Sequence, residues 1–430
     1  MVFHRSDKLK VQAVSGPEPL SSAFVLFGTI MTDGVVLTDG AVAVAGGVIA
    51  FAGPRAGFDS GAFPAARILD VPEGGTILPG LVDLHCHGAA GGGFPNDGAE
   101  ACRAAADFLH RNGTTTLLAS LVTASIEDLE QQIEVLRPLV ADGTIAGIHS
   151  EGPFLSHHRC GAQDPEWLRD PDPELLRRVL TAAGGTLRTM TYAPELPGAG
   201  DLVSALAAHG VTPSLGHSDA DSATAAASLE LAAGLLSAAD SGAFGAAARP
   251  TVTHLFNGMP QMHHRGPGPV AACLRLAAAG IAAVELIGDG VHLDPETVRM
   301  VFELAGAANV VLVTDSMAAT GLPDGDYELG PCAVTVRGGT ATLASNGALA
   351  GGTATLLEVV RRTIAAGVSP ADAVLAATAV PAQVLGLESE IGSLKSGLRA
   401  DIVVVDRDFR QTAVLRSGRI LAAPYRLGHH

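Results

Sequence analysis

Lysine is nearly missing from this chain. Lys8, Lys10 and Lys395 are the only three in 430 residues, and none falls between Val11 and Leu394. The central body therefore cannot use a carboxylated lysine to bridge two metal ions. Cysteine is equally sparse: five residues at positions 86, 102, 160, 273 and 332, with no CxxC, odd in number and irregular in spacing. That excludes a disulfide framework. No run of about 18 apolar residues free of Gly breaks and charge occurs, so no membrane span is indicated. The opening MVFHRSDKLKVQAV has no apolar core of signal-peptide type, and residues 1–21 read as a poorly ordered leader. A soluble, cytoplasmic protein is expected. Positive charge is short overall: 27 Lys+Arg against 44 Asp+Glu give a net charge of −17. No basic face is visible, which argues against nucleic acid as a partner. An anionic small substrate would need a local cluster of donors rather than a global field.

What is present begins with ILPGLVDLHCHG, residues 77–88. Pro79-Gly80 reads as a turn, followed by a short buried strand ending in His-Cys-His. Side chains alternate across a strand, so His85 and His87 point one way and Cys86 the other. Two imidazoles so placed can grip one metal ion, with Cys86 left in the packing. A bare HxH is as often a polar strand end as a ligand pair, so the weight falls on the strand ends further along the chain.

Residues 23–52 alternate short β-type runs with Asp-Gly and Gly-Gly turns, the pattern of antiparallel hairpins. The same character returns at 392–421. The two ends are expected to build one small β-sandwich. Between them, strand-like runs fall at 81–85, 114–121, 145–149, 188–192, 211–215, 251–255, 282–287 and 309–313. Helix-like segments fall at 99–111, 125–140, 173–183, 201–209, 219–231, 269–279, 294–305 and 352–366, with Ser125 and Asp294 as candidate N-caps. Eight strand–helix units in about 300 residues fit an α/β fold of (β/α)8 TIM-barrel type; a doubly wound open sheet is the alternative. The expected organisation is residues 22–75 and 386–425 in the sandwich and 76–385 in the barrel. Residues 154–173 read as a lid or binding loop, 317–349 as an inserted hairpin, and the Ala/Gly/Ser-rich 237–249 as a flexible connection.

In such barrels functional side chains come from the C-terminal strand ends. Here those ends supply His85 and His87, then Glu151 (HSEGPF), His217 (LGHSD), His254 (THLFNGM), His292 (GDGVH) and Asp315 (VTDSM). So many converging imidazoles and carboxylates point to a metal site for zinc or another borderline divalent ion. The ligand count exceeds what one tetrahedral ion needs. Two ions would require a bridge, and with no lysine available Glu151 is the well-placed carboxylate. His149 shares the strand of Glu151 and reads as support behind the ligands. His157, His158, His263 and His264 read as solvated loop residues, and His110 and His209 as helix-end capping or surface groups.

The motifs PGLVDLHCHG and ADIVVVD resemble those of the amidohydrolase superfamily. HSEGPF, LGHS, THLFNGMPQMHHRGPG, DGVHLDP, VTDSMAATGLPDGDYELG and LAGGTATLLE together resemble the N-acetylglucosamine-6-phosphate deacetylases, over nearly the whole span from 34 to 421. The resemblance implies hydrolysis of the acetamide of N-acetyl-D-glucosamine 6-phosphate to glucosamine 6-phosphate and acetate, in amino-sugar metabolism. It places the shared metal ligands on Glu151, His217 and His254, and the catalytic acid/base on Asp315. Substrate-binding positions fall on Asn257, Gly258, Arg265 and His292. Gln163 in the lid loop stands where many relatives carry His, which leaves its expected substrate contact open. Some members lack the HxH pair and keep one ion, so one or two ions per chain are implied and the pair favours two. A homodimer is expected, because in this family such an arginine can come from the partner subunit. A cyclic-amide hydrolase or a deaminase-type aminohydrolase is the alternative activity; the missing lysine argues against the first.

Overall fold

The computed structural model describes residues 23–238 and 248–422. The expected leader, most of the small-residue connection (239–247) and residues 423–425 lie outside the described residues.

Eight parallel strands form the body: β1 Leu81–Asp83, β2 Thr114–Leu121, β3 Gly147–Glu151, β4 Leu187–Tyr192, β5 Thr212–Leu215, β6 Thr251–Val252, β7 Ala283–Leu286 and β8 Val310–Leu312, hydrogen-bonded in chain order. They are rich in β-branched and aliphatic residues buried on both faces, the signature of a sheet covered by helices. The helices are α1 Ala99–Arg111, α2 Ile126–Ala141, α3 Pro173–Ala183, α4 Ala199–Ala208, α5 Ser222–Ala238, α6 Gly268–Ala278, α7 Pro295–Ala305 and α8 Leu356–Ala365. Ser125 and Asp294 cap α2 and α7 by accepting backbone N–H groups, as their position at the head of each apolar pattern requires.

The open-sheet alternative fails at the seam. Beyond their short paired segments β1 and β8 meet through the Cys86–Ser316 bridge. The Asp315 N–H donates to His85 O at 2.9 Å and the His87 N–H to Ser316 O at 2.7 Å. Buried Asp83 adds a side-chain tie, accepting the Thr314 hydroxyl at 2.6 Å. Burial pushes its carboxyl up to about 6, against the pull of Thr314 and backbone donors. The barrel is thus closed by the chain segments that carry His85, His87 and Asp315.

The two chain ends meet, as expected, but in one hydrogen-bonded sheet rather than two stacked ones. Its order runs from Arg419–Ala422 through Gln411–Arg416, Ile402–Val405, Thr76–Pro79 and Phe24–Thr32 to Val35–Ala45 and Val48–Pro54. Side-chain alternation gives it two apolar faces. Leu26, Val42, Ile77, Ile402, Val404 and Leu415 share the sheet's own core, while Met31, Leu78, Val403 and Val405 pack into the barrel's. The sheet curls over its own core, which does what a second layer would. The expected hairpin at 317–349 is a three-stranded meander of Gly325–Leu329, Cys332–Arg337 and Thr340–Leu343.

Candidate metal centre

The strand ends bring the expected side chains to one place, by a few local devices. His85 and His87 lie just past β1 with Nε2 atoms 3.0 Å apart. Cys86 faces away, fully buried, its thiol 3.1 Å from Ser316 Oγ and pushed up by burial. Glu151 is the last residue of β3, one turn of the pleat later than the 145–149 strand expected. His217, His254 and Asp315 lie just past β5, β6 and β8 with φ of 47°, 27° and 49°. Left-handed φ is uncommon for residues with a Cβ, and strain of this kind gathers at functional sites.

Glu151 stands between two groups. Its Oε1 lies 2.8 Å from His217 Nε2 and 3.0 Å from His254 Nε2, and those nitrogens are 3.1 Å apart. Its Oε2 lies 3.2 Å from His87 Nε2 and 3.7 Å from His85 Nε2. Asp315 Oδ1 closes the second group at 3.1 Å from His87 Nε2 and 3.4 Å from His85 Nε2. Five of the six side chains are buried to 5% exposure or less, and that of Asp315 is 13% exposed. Lone-pair atoms crowded this closely and sealed from water need a cation among them. Both three-residue sets, His85/His87/Glu151 and Glu151/His217/His254, have the spacing of metal ligands. A divalent ion fits these residues.

The charges answer each other. Burial raises the Glu151 carboxyl, but His85, His217 and His254 outweigh it and hold it well below the carboxylate range. Asp315 is likewise raised by burial and held down to about 2 by His85 and His87. Burial opposes charge on His217 and His87, yet hydrogen bonds to Glu151 and Asp315 raise both imidazoles. The ring orientations are fixed from behind. His87 Nδ1 meets Ser120 O at 3.1 Å, and His217 Nδ1 meets Arg159 O of the lid loop at 2.8 Å. Gly258 and Gly161 flank the His217 ring, where a Cβ would come within 2.8 and 3.0 Å of it.

His149 supports rather than joins this set. It sits between Ser120 Oγ (2.9 Å) and Thr191 Oγ1 (2.8 Å), and Thr191 continues to Thr253 and Ser214. Burial and neighbouring His85 push its imidazole well down. Gln163 is brought to the centre: its amide donates to Glu151 Oε2 at 2.7 Å and accepts the Thr123 N–H at 2.7 Å. Asn257 folds back on His254 O (3.2 Å). His292 pairs through Nδ1 with Asp289 Oδ2 at 2.9 Å; burial opposes its charge, but Asp289 raises it. Arg265 stands apart on an exposed loop, with His264 Nε2 2.9 Å from its guanidinium. The lid-loop pair His157 and His158 is exposed, as are His263 and His264, and His209 binds its own helix at Ala205 O. His110 departs from expectation. It is 3% exposed and joins Thr114 O (2.7 Å) to Thr144 O (2.8 Å), because the last turn of α1 faces the strand starts rather than solvent.

Sequence reasoning passed over three acids: Asp83, Asp289 and Glu285. Each is a carboxylate inside or beside a strand of otherwise apolar residues, and that interruption was the available signal.

Comparison with known proteins agrees with this geometry. An N-acetylglucosamine-6-phosphate deacetylase from Bacillus subtilis is 34% identical over 83% of this chain and 87% of its own length. The Bos taurus enzyme of that name is 35% identical over 84% and 87%. An N-acetylgalactosamine-6-phosphate deacetylase from Escherichia coli O157:H7 is 32% identical over 80% and 87%. Among solved structures, a mutant N-acetyl-D-glucosamine-6-phosphate deacetylase from Mycobacterium smegmatis, in complex with N-acetyl-D-glucosamine-6-phosphate, superimposes with a TM-score of 0.83 at 37% identity, covering 94% of this chain and all of that one. Residues 76–421 match the model of the amidohydrolase family. The chain belongs to the amidohydrolase family.

Proposed function

We propose that this protein hydrolyses the acetamide of N-acetyl-D-glucosamine 6-phosphate, giving glucosamine 6-phosphate and acetate. The observation that carries this reading is the buried His85/His87/Glu151/His217/His254/Asp315 cluster in a chain that matches curated deacetylases over more than four-fifths of its length. Glu151, His217 and His254 would hold one divalent ion, zinc by donor chemistry, and His85, His87, Glu151 and Asp315 a second. Glu151 suits the bridge because its two oxygens already face separate groups. Such ions supply Lewis acidity, bringing the ionisation of water near neutrality and polarising a carbonyl.

The chain's own groups do the rest. Asp315 is ionised and stands at the seam beside His85 and His87, so it begins the reaction as a base. Having taken a proton from water, it returns that proton to the departing amine, since an expelled amide anion is prohibitively basic. His292, which Asp289 biases toward the imidazolium, would present Nε2–H as a donor to the sugar or to the developing oxyanion. Arg265 provides the charge-assisted contact for the phosphate. Its exposure suits delivery across a dimer interface, and we assign the protein to a homodimer on that ground and on the family resemblance. Among the described residues no helix is long and apolar enough to cross a membrane.

The test is acetate release from N-acetylglucosamine 6-phosphate by metal-reconstituted protein, alongside N-acetylgalactosamine 6-phosphate, dihydropyrimidines and purines. Release from the first substrate is expected. Turnover of a cyclic amide or a purine in its place would overturn the reading.

A further inference from the structure

Glu285 is an acid in β7, a strand otherwise made of Ala283, Val284 and Leu286, and it is 2% exposed. A carboxylate is not buried in such a place without compensation. Its Oε2 faces His85 Nδ1 at 3.5 Å and the backbone N–H of His254 at 3.4 Å. His85 Nδ1 is itself buried and has no hydrogen-bond partner at ordinary geometry. The contrast with two other ligands is informative. His87 and His217 each turn Nδ1 to a backbone carbonyl, which fixes the proton there and leaves Nε2 as the lone-pair donor. His85 also directs Nε2 into the site, toward His87, Asp315 and Glu151. It therefore needs an acceptor behind Nδ1, and the group standing there is Glu285.

We propose that Glu285 is a positioning residue of the metal centre: its carboxylate accepts the Nδ1–H of His85, fixing the tautomer that aims Nε2 at the ion. The inference deepens the metal-centre reading above and rests on it. A carboxylate behind a ligating imidazole sets ring orientation and raises ligand basicity, and losing one typically costs about 10–100-fold in metal affinity.

The test uses full-length zinc-loaded protein and two measurements. In the first, Glu285→Gln, which keeps shape and volume, is titrated with a zinc chelator beside wild type. The ion that depends on His85 should bind about 10–100-fold more weakly, while the ion on Glu151, His217 and His254 keeps its affinity. In a His85→Ala background the same substitution should have no further effect. In the second, the histidine ¹⁵N spectrum of zinc-loaded wild type should place the His85 proton on Nδ1. Wild-type zinc affinity in Glu285→Gln, or a proton on His85 Nε2, overturns the proposal. If wild type binds a single ion, the two-ion reading fails by that count, and the ¹⁵N spectrum alone then decides for or against Glu285.

Discussion

At the mouth of the barrel four imidazoles and two carboxylates face one another, and among the described residues no arginine or lysine pairs with them. At the floor charge is handled differently. Arg399 holds buried Asp401 at 2.5 Å and reaches Thr116 Oγ1 at 2.8 Å. Arg416 donates to Thr115 O at 2.8 Å and to Gly143 O. Asp401 in turn accepts the Ser417 N–H at 2.8 Å. These contacts join the terminal sheet to the starts of β2 and β3. Floor charges are neutralised by one another and by backbone, so they hold the molecule together. Mouth charges, with left-handed φ at His217, His254 and Asp315, include two sets with the spacing of metal ligands and would cost stability with no ion among them. Substitutions at the two ends should therefore separate cleanly: mouth changes should alter chemistry and metal content, and floor changes should alter stability.

The largest expected effect is Asp315→Asn. The change keeps shape and an oxygen near His85 and His87 but removes the proton shuttle. General acid–base catalysis contributes about 10²–10⁴-fold, and here one group serves both transfers, so kcat should fall by at least that range. Substrate affinity should hold, and the melting temperature should stay or rise. Activity above about a tenth of wild type would mean that the proton travels by another group, such as His149 or His292. Next is His85→Ala with His87→Ala, which should leave one ion on Glu151, His217 and His254. Plasma emission spectrometry counts the metal; a single ion in fully loaded wild type would end the two-ion reading.

The floor counterpart is Asp401→Ala. It leaves half-exposed Arg399 without its partner and the Ser417 N–H without an acceptor, a loss of about 1.5–3 kcal/mol in urea unfolding. Turnover per folded molecule should be unchanged. A kcat loss with intact stability would erase the contrast between the ends. Arg265→Ala belongs to the mouth but should act more gently. It should raise KM for the 6-phosphate substrate by the worth of a charge-assisted hydrogen bond, about 1.5–3 kcal/mol. The unphosphorylated sugar should be barely affected, and equal losses on both substrates would remove Arg265 from the phosphate site.

The mouth was more legible in the sequence than the floor, for a physical reason. Its ligands sit at strand ends, where a polar residue after an apolar run is visible one strand at a time, and the HxH spacing alone sets two rings on one face. What stayed hidden depends on pairs distant in sequence. Asp83 meets Thr314 across 231 positions, and Arg416 meets Thr115 across 301. Glu285 and Asp289 interrupt or follow an apolar run, and a lone acid so placed shows its role only once the opposite wall is in place. Single-sheet topology at the chain ends was hidden likewise: hairpin signals give each local pairing and not the join between Thr76–Pro79 and Ile402–Val405.

His110 offers the smallest effect and the finest test of how the floor treats charge. Its two ring nitrogens face the carbonyls of Thr114 and Thr144, and a neutral imidazole can donate to only one of them. Two acceptors favour the imidazolium. Burial and the nearby Arg416 guanidinium favour the neutral ring and push its pKa down, and burial is the larger influence. A histidine whose folded pKa lies below its unfolded value of about 6.5 binds fewer protons when folded. Its contribution is fully present above about pH 6.5 and is lost as the pH falls through that value toward the folded pKa. His110→Gln keeps one donor and one acceptor and cannot titrate. Across melting temperatures of both proteins at pH 8, 7, 6 and 5, wild type should therefore lose stability relative to His110→Gln as the pH falls. Taking the difference between the two removes the titration of the mouth histidines, which both proteins share. If wild type instead gains stability relative to His110→Gln as pH falls, His110 is charged in the folded protein, both carbonyls receive an N–H, and the floor carries one more fixed cation than burial alone would allow.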